Sequence, residues 1–144
     1  MHLFEVSCGS CRVLALAYYD ENCSSGKLCV GCPRCEVVDV LDYLSSFNGK
    51  QFKIAQGCFG LFDRFAEHGE HGFSRDIFHS TSNCKSIWRF EKGDIRVFCF
   101  FDGRKNLILT NAGLKAGQKK IKPRDAIAKA LKARGAYYEG KSDE

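Results

Sequence analysis

The spacing of hydrophobic residues changes along the chain, and each spacing predicts a different element. Residues 12–19 form a short apolar run that is typical of a strand. Downstream, apolar residues recur every three or four positions in two segments, which predicts one amphipathic helix ending near residue 48 and a second over 52–68. The periodic positions are Val37, Val40, Leu41, Leu44 and Phe47 in the first helix, and Ile54, Cys58, Leu61, Phe62 and Phe65 in the second. We interpret both stripes as core positions.

The second half of the chain has the alternation and turns of a β-meander. Strands are predicted over 86–91, 95–101 and 106–111, separated by two glycine turns, Lys92-Gly93 and Asp102-Gly103. Connections this short join antiparallel strands. Residues 69–84 are rich in turn formers and give no clear element.

The last predicted element is a helix over 123–138. Pro123 suits its first turn, and Ile127, Ala130 and Leu131 are expected to pack against the sheet. The expected fold class is therefore α+β, with two N-terminal helices, an antiparallel β-meander and a C-terminal helix.

The cysteines predict a metal module in front of this domain. The chain has nine cysteines, and two CxxC units, Cys8–Cys11 and Cys32–Cys35, stand twenty residues apart. Two such pairs supply the four thiolates of a tetrahedral zinc site. We therefore predict a small zinc ribbon with four cysteine ligands over residues 1–35, with structural Zn²⁺, followed by the main domain over 36–144.

Other interpretations of the cysteines remain open. Cys23 or Cys29 could replace one of the outer ligands, and four thiolates also suit an iron–sulfur cluster. A thioredoxin-like redox pair at Cys32 and Cys35 is disfavoured because the βαβ context is missing. A disulfide framework is disfavoured because the number is odd and the start of the chain lacks a secretory signal.

Charge is unevenly distributed along the chain. The net charge is +5, yet residues 1–50 hold four Lys or Arg against six Asp or Glu. Between positions 115 and 134 a single acid, Asp125, opposes eight cations: Lys115, Lys119, Lys120, Lys122, Arg124, Lys129, Lys132 and Arg134. Such a cluster predicts a polyanionic partner, most simply a nucleic-acid backbone. No apolar run reaches the ~20 residues of a membrane span, so we expect a cytoplasmic protein without membrane contact.

Arg96 is the most informative single residue. It shares one face of the predicted middle strand with Phe98 and Phe100. If that face is open, the guanidinium offers a phosphate-binding fork between base-stacking rings. The alternative is a salt bridge to a neighbouring-strand acid such as Glu91. Arg89 could extend the same polar surface.

Other candidates carry equally plain alternatives. Lys115, Lys119 and Lys120 lie in a loop where they could stabilise charge on a phosphate, or simply be solvated. Tyr137 and Tyr138 could stack a base or donate a proton, or pack the last helix. His68 and His71 could bind a metal or act as a base, but a position in a surface turn is favoured for both. The role of His79 is open.

These features together resemble the RelE/HigB superfamily of bacterial toxins, and more closely its phage-derived branch. The resemblance rests on Ile87-Trp88-Arg89-Phe90-Glu91, on Asp94-Ile95-Arg96-Val97-Phe98-Cys99-Phe100-Phe101, on 106–111, on the lysine-rich loop and on the closing helix, and it covers about residues 36–139. It implies a compact toxin that cleaves mRNA on the ribosome without a catalytic cofactor. It also implies inhibition by a co-encoded antitoxin.

The resemblance also assigns roles to individual residues. By position, Arg96 matches the strand arginine of the family, and Tyr137 or Tyr138 matches its C-terminal aromatic residue. The lysine-rich segment is matched by Lys115, Lys119 and Lys120. We take Arg96, these three lysines and Tyr138 as catalytic, and assign RNA binding to Arg89, Lys122, Arg124, Lys129 and Lys132.

Departures from the family pattern leave the general base undefined. Ala116 replaces a lysine that many relatives have, and Arg89 stands at an often acidic position. The leading hypothesis is a toxin endoribonuclease. The alternatives are a toxin of the same fold that binds DNA gyrase, and a non-catalytic zinc-ribbon regulator that binds nucleic acid.

Overall fold

The computed structural model describes residues 2–17, 40–82, 84–115 and 122–142. It is an α+β structure, as predicted, built on one six-stranded sheet with a C-terminal helix. The strands are β1 (His2–Cys8), β2 (Arg12–Ala17), β3 (Phe78–Thr81), β4 (Cys84–Lys92), β5 (Ile95–Asp102) and β6 (Asn106–Leu114). The helices are α1 (Val40–Ser45), α2 (Lys50–His68) and α3 (Pro123–Ser142), with a 3₁₀ turn at Glu70–Gly72.

The sheet is mixed, with strand order β1-β2-β6-β5-β4-β3. The meander β4–β5–β6 has the predicted antiparallel pairing, with left-handed glycines Gly93 and Gly103 at its two turns. β2 pairs in parallel with β6. The turn-rich segment 69–84 contains β3, a strand that the sequence pattern did not predict.

The N-terminal hairpin lies in this main sheet. β1 and β2 pair in antiparallel fashion, and β2 continues the sheet through β6. The described part of the predicted 1–35 module, residues 2–17, therefore shares its hydrogen bonding with the rest of the chain. Cys8 and Cys11 lie at the turn of the hairpin. Cys32 and Cys35 lie outside the described residues.

Helices cover both faces of the sheet because the strands alternate apolar side chains between them. In β5, Val97 and Cys99 face α1 and α2, whereas Phe98 and Phe100 face α3. The α1–α2 side is rich in aromatic rings, among them Phe62, Phe65, Phe78 and Phe90. Both sides of the central strands are thus excluded from water, which explains why β5 is apolar at nearly every position.

The last helix packs through small residues. The side chains of Ala126, Ala130 and Ala133 are buried against β5 and β6 together with Ile127 and Tyr137. The prediction that Leu131 packs on the sheet is wrong, because this side chain is 42% exposed. The alanine stripe brings the helix axis close to the sheet and turns position 131 towards solvent. None of the helices in the described ranges is long and apolar enough to cross a membrane.

Gly9 fixes the hairpin against the end of α2. The Cys11 amide donates a hydrogen bond to the Ala66 carbonyl oxygen at 2.9 Å. A Cβ atom at position 9 would lie 2.7 Å from that same oxygen. Hairpin and helix therefore approach each other as closely as glycine permits.

We expect Gly9→Ala to lower the free energy of unfolding by about 2 kcal/mol, since the added methyl group forces the backbones apart. Urea unfolding followed by circular dichroism measures this. Gly60→Ala is the matched control: position 60 is helical with open space around its Cβ, so alanine should stabilise by up to about 1 kcal/mol. Equal midpoints for Gly9→Ala and the parent protein would contradict the close approach.

Candidate functional site

A carboxylate at the end of β4 gathers basic side chains from three strands. The register places Glu91 opposite Arg96 on β5, and His79 on β3 opposite Arg89. Glu91 Oε1 accepts from Arg89 Nη2 and from Arg96 Nε, each at 2.9 Å, and lies 3.7 Å from His79 Nε2. We call these four residues the Glu91 cluster.

Arg96 is held rigidly within this cluster. Its Nη1 donates to the carbonyl oxygens of Gly93 at 3.0 Å and Ile95 at 3.4 Å, and its side chain is only 10% exposed. The salt bridge to Glu91, one of the two interpretations of Arg96 in the sequence, is therefore present. A buried guanidinium is tolerated because charged and neutral acceptors surround it.

Arg89 is less completely satisfied. Its Nη2 also lies 3.4 Å from His79 Nε2, while its Nε is buried and, among the described residues, has no hydrogen-bond partner. His79 Nδ1 lies 2.9 Å from the Ser80 carbonyl oxygen, an acceptor, so Nδ1 bears the proton and Nε2 is the acceptor. An unpaired buried donor of this kind costs about 1–3 kcal/mol.

The cluster opens into a cavity of about 300 Å³. We call it the anion cavity, and its lining consists of Arg89, Glu91, Arg96, Phe98, Lys115 and Pro123. Three permanent cations thus face one carboxylate. Pro123 begins α3, so the positive end of the helix dipole adds to the potential. The arrangement suits a phosphate-sized anion.

Lys115 is the exposed cation of this cavity. Its backbone amide donates to the Asp94 carbonyl oxygen at 2.7 Å, which fixes the chain just after β6. The residue is exposed and lines the anion cavity, so its ammonium group is accessible to an anion bound there. Lys119 and Lys120, predicted to act beside it, lie outside the described residues.

The other predicted RNA-binding residues lie along α3 and just before it. Lys122 and Arg124 are exposed and flank Pro123, which lines the anion cavity. Lys129 and Lys132 are exposed further along the helix, as predicted. All four are positioned on the same side of the sheet as the Glu91 cluster.

The predicted catalytic tyrosine lies elsewhere. Tyr138 Oη donates to the Phe101 carbonyl oxygen at 3.5 Å, and Arg134 sits 5.0 Å above its ring. Phe101 is five residues from Arg96 along β5, roughly 16 Å at about 3.3 Å per residue. The structure therefore does not bring Tyr138 to Arg96. Tyr137 is buried and donates to Asp102, so this end of α3 is a packing contact.

Sequence reasoning missed the central position of Glu91 and the contribution of His79. The sequence suggests Glu91 only as a partner that neutralises Arg96, although a two-residue loop at Gly93-Asp94, which pairs Lys92 with Ile95, places Glu91 opposite Arg96. His79 enters through β3. A four-residue strand that follows a turn-rich segment leaves too little periodicity to be detected.

The described cysteines do not form a complete metal site by themselves. Cys8 is exposed, Cys11 is partly buried, and neither forms a disulfide. In the described ranges no group of three or more His, Cys, Asp or Glu side chains is placed to hold a metal ion. Burial raises the pKa of Cys58 to about 11 and raises that of Cys99 well above its usual range, so both are inert thiols.

The two histidines at and just after the end of α2 are surface residues, as favoured from the sequence. His68 lies 3.5 Å from Glu67, with both side chains exposed, and His71 lies in the 3₁₀ turn. With Cys11, they line a second cavity of about 600 Å³ at the other end of the sheet.

Comparisons with known proteins do not assign the chain to a family. No family model matches the sequence, and no curated protein matches it either. A function therefore has to be argued from the site.

Proposed function

We propose that this protein is a cytoplasmic toxin of a type II toxin–antitoxin system, an endoribonuclease that cleaves mRNA on the ribosome. The observation that carries the proposal is the anion cavity, where Arg89, Arg96 and Lys115 face a single carboxylate beside the start of α3. The resemblance of the meander, basic loop and closing helix to RelE/HigB toxins supports the same function.

The cavity suits in-line cleavage of RNA. A 2′-hydroxyl attacks the adjacent phosphorus, the bond to the 5′ oxygen breaks, and the products carry a 2′,3′-cyclic phosphate and a 5′-hydroxyl. Negative charge grows on the non-bridging oxygens, and fixed cations stabilise it because they need no reorganisation. Arg96 is held by Glu91 and two carbonyl groups, so its guanidinium is already oriented.

Proton transfer is assigned to His79. Its Nδ1 lies against the Ser80 carbonyl oxygen, and its Nε2 belongs to the same cluster as both arginines. In its neutral form His79 would take the proton of the 2′-hydroxyl, and a water molecule would give a proton to the 5′ oxygen as it leaves. No metal is required for this chemistry.

The exposed lysines of α3 fit the larger partners. Lys129 and Lys132 project from the helix, where they would contact ribosomal RNA or the acidic surface of a co-encoded antitoxin. In the absence of antitoxin these contacts would bring the anion cavity to the mRNA.

Induced expression should arrest bacterial growth and produce new mRNA 5′ ends. Lys115→Ala and Arg96→Ala should relieve both effects, whereas Lys53→Ala, which removes an exposed cation on α2, should not. Growth arrest with broken DNA and uncut mRNA would instead identify a gyrase poison. RNA or DNA binding with no cleavage in ribosome complexes would identify a non-catalytic regulator.

We also propose a structural Zn²⁺ at the hairpin, bound by Cys8 and Cys11 with Cys32 and Cys35. Cys8 and Cys11 fit, because the β1–β2 turn presents both as free thiols at CxxC spacing. Elemental analysis should find about one zinc per chain. The Cys8→Ser, Cys11→Ser double variant should lose it, and Cys84→Ser, which alters a free thiol elsewhere, should keep it. A folded, metal-free parent protein would refute the site.

A further inference from the structure

Trp88 occupies an unusual position on the face of β4 opposite the Glu91 cluster. Its indole stacks on Phe78 at 5.0 Å between ring centroids, and meets Phe101 edge-on at 5.3 Å. These contacts fix the ring plane. Within the part of the chain that the structure describes, the residue is nevertheless only partly buried, and α2 ends nearby at His68, which lines a cavity with it.

The indole borders two cavities. One is the cavity of about 600 Å³ that contains Arg104 and Lys105, and the other has a volume of about 910 Å³ and contains Arg75 and Lys85. We call the two together the Trp88 groove. An ordered aromatic ring in the middle of an open groove is available for stacking against a planar ligand.

The lining of the Trp88 groove is strongly positive. All four of those Arg and Lys side chains are exposed, and among the described residues the one acid that lines either cavity is Glu70, which borders both. The nearby Glu67 lies beside His68. Cations on both sides of an aromatic ring are the combination by which proteins hold single-stranded nucleic acid.

The Trp88 groove is continuous with the Glu91 cluster around the edge of the sheet. His79 lines the larger cavity and also contacts Arg89 and Glu91. β3, which carries His79, is the edge strand and only four residues long. A flexible chain that leaves the anion cavity therefore reaches Trp88 by passing a single short strand.

We infer that the Trp88 groove binds single-stranded RNA, with one base stacked on Trp88 and the flanking phosphates on the two pairs of cations. The inference rests on the proposed function for the identity of the ligand, since it extends the path of the substrate beyond the scissile phosphate. An RNA strand satisfies both the aromatic ring and the separated cations, whereas an acidic peptide satisfies the cations alone.

The test uses the intrinsic fluorescence of the protein, because Trp88 is its single tryptophan. The probe is a 2′-O-methyl oligoribonucleotide of about 12 nucleotides, which cannot be cleaved. We expect it to quench the emission of Trp88, with an affinity that falls as salt is raised. The Arg104→Ala, Lys105→Ala double variant should bind at least about tenfold more weakly and lower the slope of log K against log salt by about 1.4, at about 0.7 per phosphate.

Control variants and probes separate this inference from the proposed function. Lys53→Ala should bind the oligonucleotide like the parent protein. Unchanged Trp88 emission, or unchanged affinity in the double variant, would contradict RNA binding in the Trp88 groove even if the protein cleaves mRNA. Quenching by the oligonucleotide without any cleavage of natural RNA would support RNA binding in the groove and contradict the proposed endoribonuclease activity. Quenching by poly-glutamate but not by RNA would assign this surface to an acidic protein instead.

Discussion

Glu91→Gln is expected to lower the free energy of unfolding by about 2–3 kcal/mol. The change keeps the shape of the side chain but removes the carboxylate charge to which both Arg89 and Arg96 are bonded. Removing one partner of a buried ion pair costs about 3–5 kcal/mol. We reduce that figure because the side chains of Glu91 and Arg89 are 23% and 22% exposed, so solvent screens part of the loss.

Urea unfolding with a two-state fit measures this effect. Glu67→Gln is the matched control, because Glu67 is also a carboxylate near a histidine but its side chain is 72% exposed. That variant should change stability by less than about 0.5 kcal/mol. Equal stabilities for Glu91→Gln and Glu67→Gln would mean that the cluster does not depend on its carboxylate.

The same variant also tests whether the anion cavity binds anions. With Glu91 neutral, the two arginines lack their counter-charge, and an external anion can take its place. Inorganic phosphate should therefore stabilise Glu91→Gln more than the parent protein when compared with chloride at the same ionic strength. A uniform salt effect on both proteins would show that the cavity has no specific affinity for phosphate.

The sequence predicted the parts of this structure that depend on neighbouring residues. Two glycine turns defined the meander, and the pairing of Lys92 with Ile95 across the first of them places Glu91 opposite Arg96. The pairing of β2 with β6 is not predictable in this way, because the two strands are far apart in sequence and no turn specifies their register.

The site was predicted less completely than the fold, for a related reason. Whether a residue at a given helical position reaches the cavity depends on the angle and the length of the helix. The helical pattern predicts that Leu131 packs on the sheet, and the family resemblance assigns Tyr138 to the site, yet Leu131 is exposed and Tyr138 lies at the far end of β5. The sequence leaves the role of His79 open, and the four-residue strand that carries it into the cluster is too short to show a pattern. The local sequence pattern predicts individual helices and strands, whereas the meeting of three basic side chains at Glu91 depends on how the strands of the whole sheet pair.

Substitutions of Lys115 and Arg96, the two cations of the anion cavity most directly assigned to catalysis, should differ in their effects on cleavage rate and stability. Lys115→Ala should lower the single-turnover rate of mRNA cleavage in ribosome complexes by about 10²-fold, since one fixed or recruited cation stabilising a developing oxyanion contributes about this much. Stability should change by less than about 0.5 kcal/mol, because the side chain is exposed and its backbone hydrogen bond to Asp94 remains.

Arg96→Lys should reduce both the stability of the protein and its rate of mRNA cleavage. Lysine keeps the charge but cannot reproduce the fork that bonds Glu91 through Nε and two carbonyl oxygens through Nη1. We expect a loss of about 1–2 kcal/mol in stability, together with a cleavage rate lowered at least as much as in Lys115→Ala. Lys53→Ala, assayed in parallel, measures the effect of removing a cation from an unrelated surface.

Since Arg96 also holds the cluster together, a loss of cleavage in an Arg96 variant has two causes, lost catalysis and lost stability. Lys115→Ala separates these causes, because it is expected to keep the stability of the parent protein. A stable Lys115→Ala variant that cleaves at the parent rate would show that Lys115 has no role in the reaction.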